Sequence, residues 1–345
     1  MPRLLAITHS RFDPASRFRV LQYLPHFSEA GWTVTHWSIR PSPYRTPRWT
    51  SGLLGTAERR AANALLKCDS VQRFMRAGRF DVVLVSRELP CFHNLLLRRN
   101  RRVVFDFDDA IHLGSSRRTV EALCVAAARV VVGNDTLAQA ARAWSSAVEV
   151  IPTAVDVMSY RPRRTFAADE RVRVGWLGSP YSVRETLGPH LPLLAELQRE
   201  LGFTFVIVST RPETIPESPL RWEFIPWTPQ RETAIGDLFD IGIMPLVDTP
   251  LQRAKCGAKL LQYMAAGLPQ VASPVGVNRT IVVAGETGFL ADGAAEWRDA
   301  LTALIGDTDL RGRMGAAARR RVAAEYSLTR WVPRWLPLLD AVARS

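Results

Sequence analysis

Lysine is almost missing from this chain of 345 residues: of its 45 basic side chains only Lys67, Lys255 and Lys259 are not arginine. Cysteine is scarce as well. Cys68, Cys91, Cys124 and Cys256 stand far apart, without the paired spacing of zinc or redox sites, so reduced and mostly buried thiols are expected. No window approaches about 18 uninterrupted apolar residues, which excludes a membrane-spanning helix; the longest run, Ala122 to Val132, is broken by Arg129. Met1 to Thr8 is too short an apolar stretch for a secretory signal and has no small-residue cleavage site, so a cytoplasmic chain is expected. No GxGxxG follows the first strand, which removes the main support for a nicotinamide cofactor. GxxxxGK[ST] and GxSxG are also absent, against an ordinary P-loop and a hydrolase elbow. The six histidines are scattered and no grouping has metal-ligand spacing, so no metal and no bound cofactor are expected.

What is present is a soluble, globular composition, 47% apolar and 23% charged, in a length that suits about two domains. The net charge of +12 is one-sided. Residues 1–165 hold 25 basic and 13 acidic side chains, and residues 166–345 hold 20 of each. Such an asymmetry speaks of partners: nucleic acid, anionic lipid or phosphorylated substrates. A solvated arginine-rich surface explains it equally. Among these partners nucleic acid is not expected, because no aromatic residues are interleaved with the arginine clusters.

Short Val/Ile/Leu runs alternate with helical patterns. Strands are expected at Arg3–Thr8, Val34–Ile39, Asp81–Val85, Arg102–Phe107, Val130–Gly133 and Val148–Ile151. Helices are expected at Ser16–Ala30 and, as a basic amphipathic pattern, Leu53–Ala77. Pro152–Glu170 reads as a linker, and the alternation then restarts. Strands follow at Val172–Leu177, Phe203–Val208, Trp222–Ile225, Ile241–Met244 and Val271–Ser273, with helices at Arg184–Leu201, Gly257–Ala266, Glu296–Ile305 and Leu310–Glu325. This is an α/β plan occurring twice, with parallel sheets covered on both faces. In such sheets ligands bind at the carboxyl ends of the strands.

Three places carry candidate chemistry. Val174 to Pro180 is a strand ending in Gly178-Ser179, where small residues let backbone N–H groups approach a phosphate; a plain turn is the alternative. Arg253 to Pro269 places Gly257 before a helix on which Lys255, Lys259 and Gln262 share a face, a pattern suited to a diphosphate and a ribose diol. Asp106 to His112 ends a first-half strand with three carboxylates and an imidazole, suited to binding or deprotonating a hydroxyl; helix capping by Asp108 or Asp109 competes. Arg17 and Arg19 are candidate phosphate ligands of an acceptor, or a solvated helix face.

The second half, with KLLQYMAAGLPQVASPVGVN from Lys259, GETGFL from Gly285 and FDIGIMPL from Phe239, resembles retaining glycosyltransferases of family 4. VIPTAVD from Val150 fits as well, and SRFRVLQYLP, FDFDDAIH and VVVGNDTLAQAA in the first half resemble one branch of that family. The resemblance implies a GT-B fold, two facing Rossmann-like domains with a cleft. Residues 1–160 would bind the acceptor and 166–327 the nucleotide sugar, with the last helix, 328–345, packing back on the first domain. It implies transfer of a sugar from a nucleotide-diphosphate donor to an acceptor hydroxyl with retention, and no metal. Lys255 and Lys259 would stabilise the diphosphate, Gly178, Ser179 and Gly257 would offer backbone donors, Gln262 would hold ribose, and Trp227 would lie near the base. Asp108, Asp109 and His112 would orient the acceptor, beside Arg17, Arg19, Asp106 and Asn134. The family's two glutamates, separated by seven other residues, fall on Ala254 and Gln262, neither of them Glu. A catalytically inactive scaffold, a nucleotide-sugar epimerase and a nucleic-acid binder are the rival readings. With the basic first half, the expected partners are a nucleotide sugar, a saccharide or lipid-linked acceptor of the cell envelope, and an anionic membrane surface on which the chain would sit peripherally.

Overall fold

The computed structural model describes residues 1–39, 69–87, 93–163, 165–166 and 171–345. The chain divides into two compact units, Met1–Thr153 with Trp331–Ser345, and Ala154–Arg330.

The first unit is built on a six-stranded sheet of β1 (Arg3–Thr8), β2 (Thr33–Ser38), β3 (Val82–Ser86), β4 (Val103–Phe107), β5 (Arg129–Val132) and β6 (Val148–Val150). All its pairings are parallel and the order is β2-β1-β3-β4-β5-β6. The central strands are buried along nearly their whole length, which is why they read as unbroken apolar runs. The order reverses between β1 and β3, so the crevice of this sheet opens at Thr8 and Ser86. From Trp331 onward the final helix, Leu328–Arg344, groups with this unit. Trp335 seats it there, with ring centroids 5.8 Å from Tyr23 and 6.3 Å from Phe27.

The second unit holds β7 (Arg173–Leu177), β8 (Thr204–Ser209), β9 (Trp222–Pro226), β10 (Ile241–Met244), β11 (Gln270–Ala272) and β12 (Gly288–Leu290). They are again all parallel, in the order β12-β11-β10-β7-β8-β9, a doubly wound arrangement. Its switch point lies between β7 and β10. Those two strands pair only at Val174 with Ile241 and Gly175 with Gly242, and part beyond. The expected α/β plan of parallel sheets thus holds in both units.

Several elements differ from their sequence reading. Ser16–Ala30 is not one helix but Pro14–Arg19, a 3₁₀ turn at Leu21–Tyr23 and Leu24–Glu29, because Pro25 lacks the N–H that a continuous helix needs. Arg184–Leu201 breaks likewise at Pro189 and Pro192, leaving a regular helix only over Leu191–Leu201. β12 is three residues long and carries no readable alternation. Pro152–Glu170 is not simply a linker. Arg161 N–H donates to Thr233 O at 2.9 Å, Arg163 N–H to Ala266 O at 2.8 Å, and Arg319 reaches the carbonyls of Val157, Tyr160 and Ala265. These bonds bind residues 154–163 into the second unit. Of the helix expected at Leu53–Ala77, residues 53–68 lie outside the described residues, as does the Pro41–Pro47 loop, and 69–75 are helical. Among the described residues no helix is long and apolar enough to cross a membrane.

Candidate functional site

The helix Ala258–Ala265 follows β10 and begins at Gly257, whose φ of +68° suits glycine. A Cβ at Gly257 would stand 2.3 Å from Ile281 Cδ1, so the residue is fixed by packing as well as by conformation. Two turns of this helix hold the switch point. Tyr263 sends its hydroxyl between the parting strands, accepting from Leu177 N–H at 3.0 Å and donating to Ile243 O at 3.3 Å. One turn earlier, Lys259 places its ammonium 5.2 Å from the centroid of the Trp176 ring. Trp176 is fully buried on β7, and a Cβ at Gly178 would stand 2.2 Å from its ring. Lys255 lies in the turn before Gly257. Gln252 orders that loop, accepting from Val247 N–H and donating to Glu185 O, both at 2.9 Å. The second unit therefore brings Lys259, Gly257 and the Leu177-Gly178 end of β7 together, and Lys255 enters on the same loop.

Other expected donor contacts are corrected by their surroundings. The Gly178 N–H is held in the sheet by Val208 O at 3.0 Å and is not offered to a phosphate. Ser179 spends its hydroxyl on the Ser182 N–H as a helix cap. Gln262 is 4% exposed and its amide nitrogen donates to Tyr160 Oη at 3.2 Å. That hydroxyl donates in turn to Glu232 Oε1 at 3.5 Å, and Glu232 also accepts from the Trp227 indole at 2.7 Å. The Gln262 nitrogen is thus satisfied inside the unit, and Trp227 is anchored by its N–H to a buried carboxylate.

In the first unit, the carboxyl ends of β1, β3 and β4 gather Asp13, Arg87, Asp108, Asp109 and His112. Arg87 was not legible as a site residue. It follows β3 with φ +64°, a left-handed conformation rare outside glycine, and its N–H donates to Asp106 O at 2.7 Å. Its guanidinium lies 3.8 Å from both Asp13 and Asp109. Asp13 also caps Pro14–Arg19 by accepting from Ser16 N–H at 3.1 Å. Burial pushes the Asp108 carboxyl up to about 6, with Arg87 and Arg19 opposing it and Asp109 and Asp106 adding to it. His112 is held below the ordinary imidazole value by burial and by Arg117, with Asp109 opposing. Its ring meets Trp144 edge-on at 6.1 Å.

Three residues expected to touch the acceptor do other work. Arg19 and Asp106 are 1% and 0% exposed and neutralise each other inside the unit. Arg19 Nη2 lies 2.5 Å from Asp106 Oδ1, Nε lies 3.2 Å from both oxygens, and Nη1 donates to Ile151 O at 2.6 Å. Asn134 is a buried cap, accepting from Leu137 N–H at 2.9 Å. Arg17 is half-buried with its guanidinium 5.0 Å from the Phe18 ring. Among the described residues no three His, Cys, Asp or Glu side chains come together in a way that could hold a metal ion.

Residues 173–307, which span β7 to the end of the helix Gly293–Gly306, match the model of the family described as Glycosyl transferases group 1. A D-inositol 3-phosphate glycosyltransferase of Nocardia farcinica is 35% identical over 127 residues, 36% of this chain and 24% of the relative, so the match spans about a quarter of that protein's length. The fold extends further than the sequence likeness. Sucrose-phosphate synthase from Thermosynechococcus elongatus superposes with a TM-score of 0.70 at 15% identity, covering 100% of both chains. Anabaena Alr3699/HepE, solved in complex with UDP and glucose, gives 0.68 at 16% identity, covering 99% of this chain and 100% of its own. Each described unit carries a six-stranded parallel sheet with helices, the two-domain α/β fold of these glycosyltransferase structures, and residues 173–307 resemble the glycosyl transferases group 1 family.

Proposed function

We propose that this chain is a retaining glycosyltransferase that moves a sugar from a nucleoside-diphosphate donor to an acceptor hydroxyl. One observation carries the reading: a segment that matches the group 1 model folds so that Lys259 and the amino end of the helix Ala258–Ala265 stand where β7 and β10 part. Breaking the sugar–phosphate bond puts negative charge on the departing diphosphate. An ammonium group and aligned amide dipoles already in place stabilise that charge without reorganisation. Lys259 is assigned this work and Lys255 a supporting share. With that positive charge supplied by the chain, no metal is given a part.

Asp108, Asp109 and His112, with Arg87 and Asp13 around them, orient the acceptor. Attack on the face that the diphosphate leaves lets a departing phosphate oxygen take the hydroxyl proton, so no side chain need act as base. Trp227 is a candidate flank for the base of the donor. The basic first half suits a lipid-linked or envelope acceptor at the cytoplasmic face of an anionic membrane, at about 1 kcal/mol per cation near the surface. Salt-dependent retention on anionic vesicles tests that placement, and no retention at low salt removes it.

A screen of nucleotide release across common sugar nucleotides, with a panel of glycan and lipid acceptors, tests the activity. Donor-dependent release accelerated by an acceptor supports it. A non-catalytic binding protein is the second reading, favoured by Ala254 and Gln262 at the positions where the family carries glutamates. Nucleotide binding without turnover would point to it.

A further inference from the structure

The first unit carries a cavity that the proposed transfer does not use. Phe80 and Asp81 lead into β3, Arg98 and Arg99 close the helix His93–Arg99, and Arg101 and Arg102 lead into β4. A cavity of about 290 Å³ opens among them, lined by Gly78, Phe80, Arg99, Asn100, Arg101 and Arg102, with Ser345 at its rim. It lies at the amino ends of β3 and β4, whereas Arg87 and Asp108 follow their carboxyl ends. Five residues of strand, roughly 17 Å, separate the two places.

The cavity is ordered from beneath. Asn100 is 8% exposed and donates to Ala77 O at 3.1 Å and Phe80 O at 2.8 Å, while its side-chain oxygen accepts from Arg102 N–H at 2.8 Å. One amide thus stitches the turn before β3 to the turn before β4 and sets the spacing of the arginines. Arg102 is aimed by the carbonyls of Asp81 and Ala343, at 3.5 and 3.4 Å, and Arg99 by the sulfur of Met75 at 3.2 Å. Among the described residues no carboxylate forms an ion pair with Arg99, Arg101 or Arg102, nor with the neighbouring Arg79 and Arg98. Asp81, which leads into β3, pairs with Arg3, and Asp106, at the far end of β4, pairs with Arg19. Three arginines line one cavity against the single terminal carboxylate of Ser345, and their guanidinium groups offer forked donors to an oxyanion with several oxygens.

We infer that this cavity is a phosphoryl-group site of the first unit, at the opposite end of the sheet from Arg87 and Asp108. The ligand chemistry is a phosphate group, supplied free or as a lipid headgroup. The inference does not depend on the proposed transferase activity.

The test compares the full chain with Arg99→Ala/Arg101→Ala and with Arg101→Glu, which alters an exposed side chain and leaves the Asn100 and Arg102 bonds in place. Calorimetry with inorganic phosphate and pyrophosphate reads the free ligand. Sedimentation with phosphatidylcholine vesicles, with and without phosphatidic acid, reads the headgroup. A loss of about tenfold or more in either arm, at unchanged melting temperature, is expected. Loss in the first arm identifies a free phosphate, and loss confined to the second identifies a membrane headgroup. Equal binding by all three proteins in both arms, or no binding by the unaltered chain in either, overturns the inference.

Discussion

The ammonium nitrogen of Lys259 sits 5.2 Å from the centroid of the Trp176 ring, so a side chain from the helix after β10 reaches across to β7. The indole face holds the cation by its quadrupole. Lys259→Ala is expected to keep the melting temperature nearly unchanged and to lower kcat/KM by about a hundredfold or more, the usual effect of deleting one donor to a developing charge. Lys259→Arg should restore little, because a planar guanidinium does not replace a compact ammonium in a tight site. Steady-state kinetics with the donor identified by the release screen, alongside thermal melts, checks both.

The Gln262 side-chain nitrogen is engaged inside the second unit, where it donates to Tyr160 Oη at 3.2 Å. Tyr160 gives its hydroxyl proton to Glu232, and on its other side it accepts from the amide of Gln262. Gln262→Glu, although it recreates the carboxylate that the wider family carries, is expected to cost about 1–3 kcal/mol in urea unfolding. It would face a second buried carboxylate and leave Tyr160 without its donor. Combining it with Tyr160→Phe should recover part of the loss.

Arg19 and Asp106 form a buried pair, and removing one partner leaves a charge with no compensation. Asp106→Ala is expected to destabilise the first unit by about 3–5 kcal/mol. In a urea melt the transition of the first unit should move while that of the second stays. A loss of activity with no change in unfolding would instead return Asp106 to the acceptor site.

Asp108 ties stability and activity to pH in opposite directions. Its carboxyl titrates at about 6 in the folded chain against an ordinary 3.8, because burial disfavours the anion. The folded state then holds a proton that the unfolded chain has already lost. The resulting stability is fully present below about pH 4 and fades as pH rises through 6, by on the order of 3 kcal/mol. Turnover should rise over the same window if the carboxylate holds the acceptor hydroxyl. Asp108→Asn is expected to flatten both profiles, read by urea melts and by kcat/KM between pH 4 and 8.

The fold was far more legible than the site. β1 and β10 coincide with their sequence reading, Arg3–Thr8 and Ile241–Met244, since strands buried on both faces must be continuous apolar runs. Proline decided where the reading failed: Pro25, Pro189 and Pro192 interrupt patterns whose apolar spacing is otherwise helical. The site was harder because one letter serves two purposes. Asp106 and Asp108 are two residues apart on the same strand end, yet one is sealed against Arg19 and the other lies among Arg87, Asp109 and His112. Only the depth of the sheet separates them. Arg87 depends on a left-handed backbone, and Tyr263 on the parting of β7 from β10, neither of which leaves a trace in residue spacing.

The central claim is that a diphosphate is held where β7 and β10 part. Titration of the full chain and of Lys259→Ala with UDP, GDP and ADP, followed by calorimetry, tests it most directly. At least one nucleotide should bind the unaltered chain, and the variant should bind it at least about tenfold more weakly while melting at the same temperature. Equal affinity in the two proteins, or no binding of any of the three nucleotides, would contradict the account.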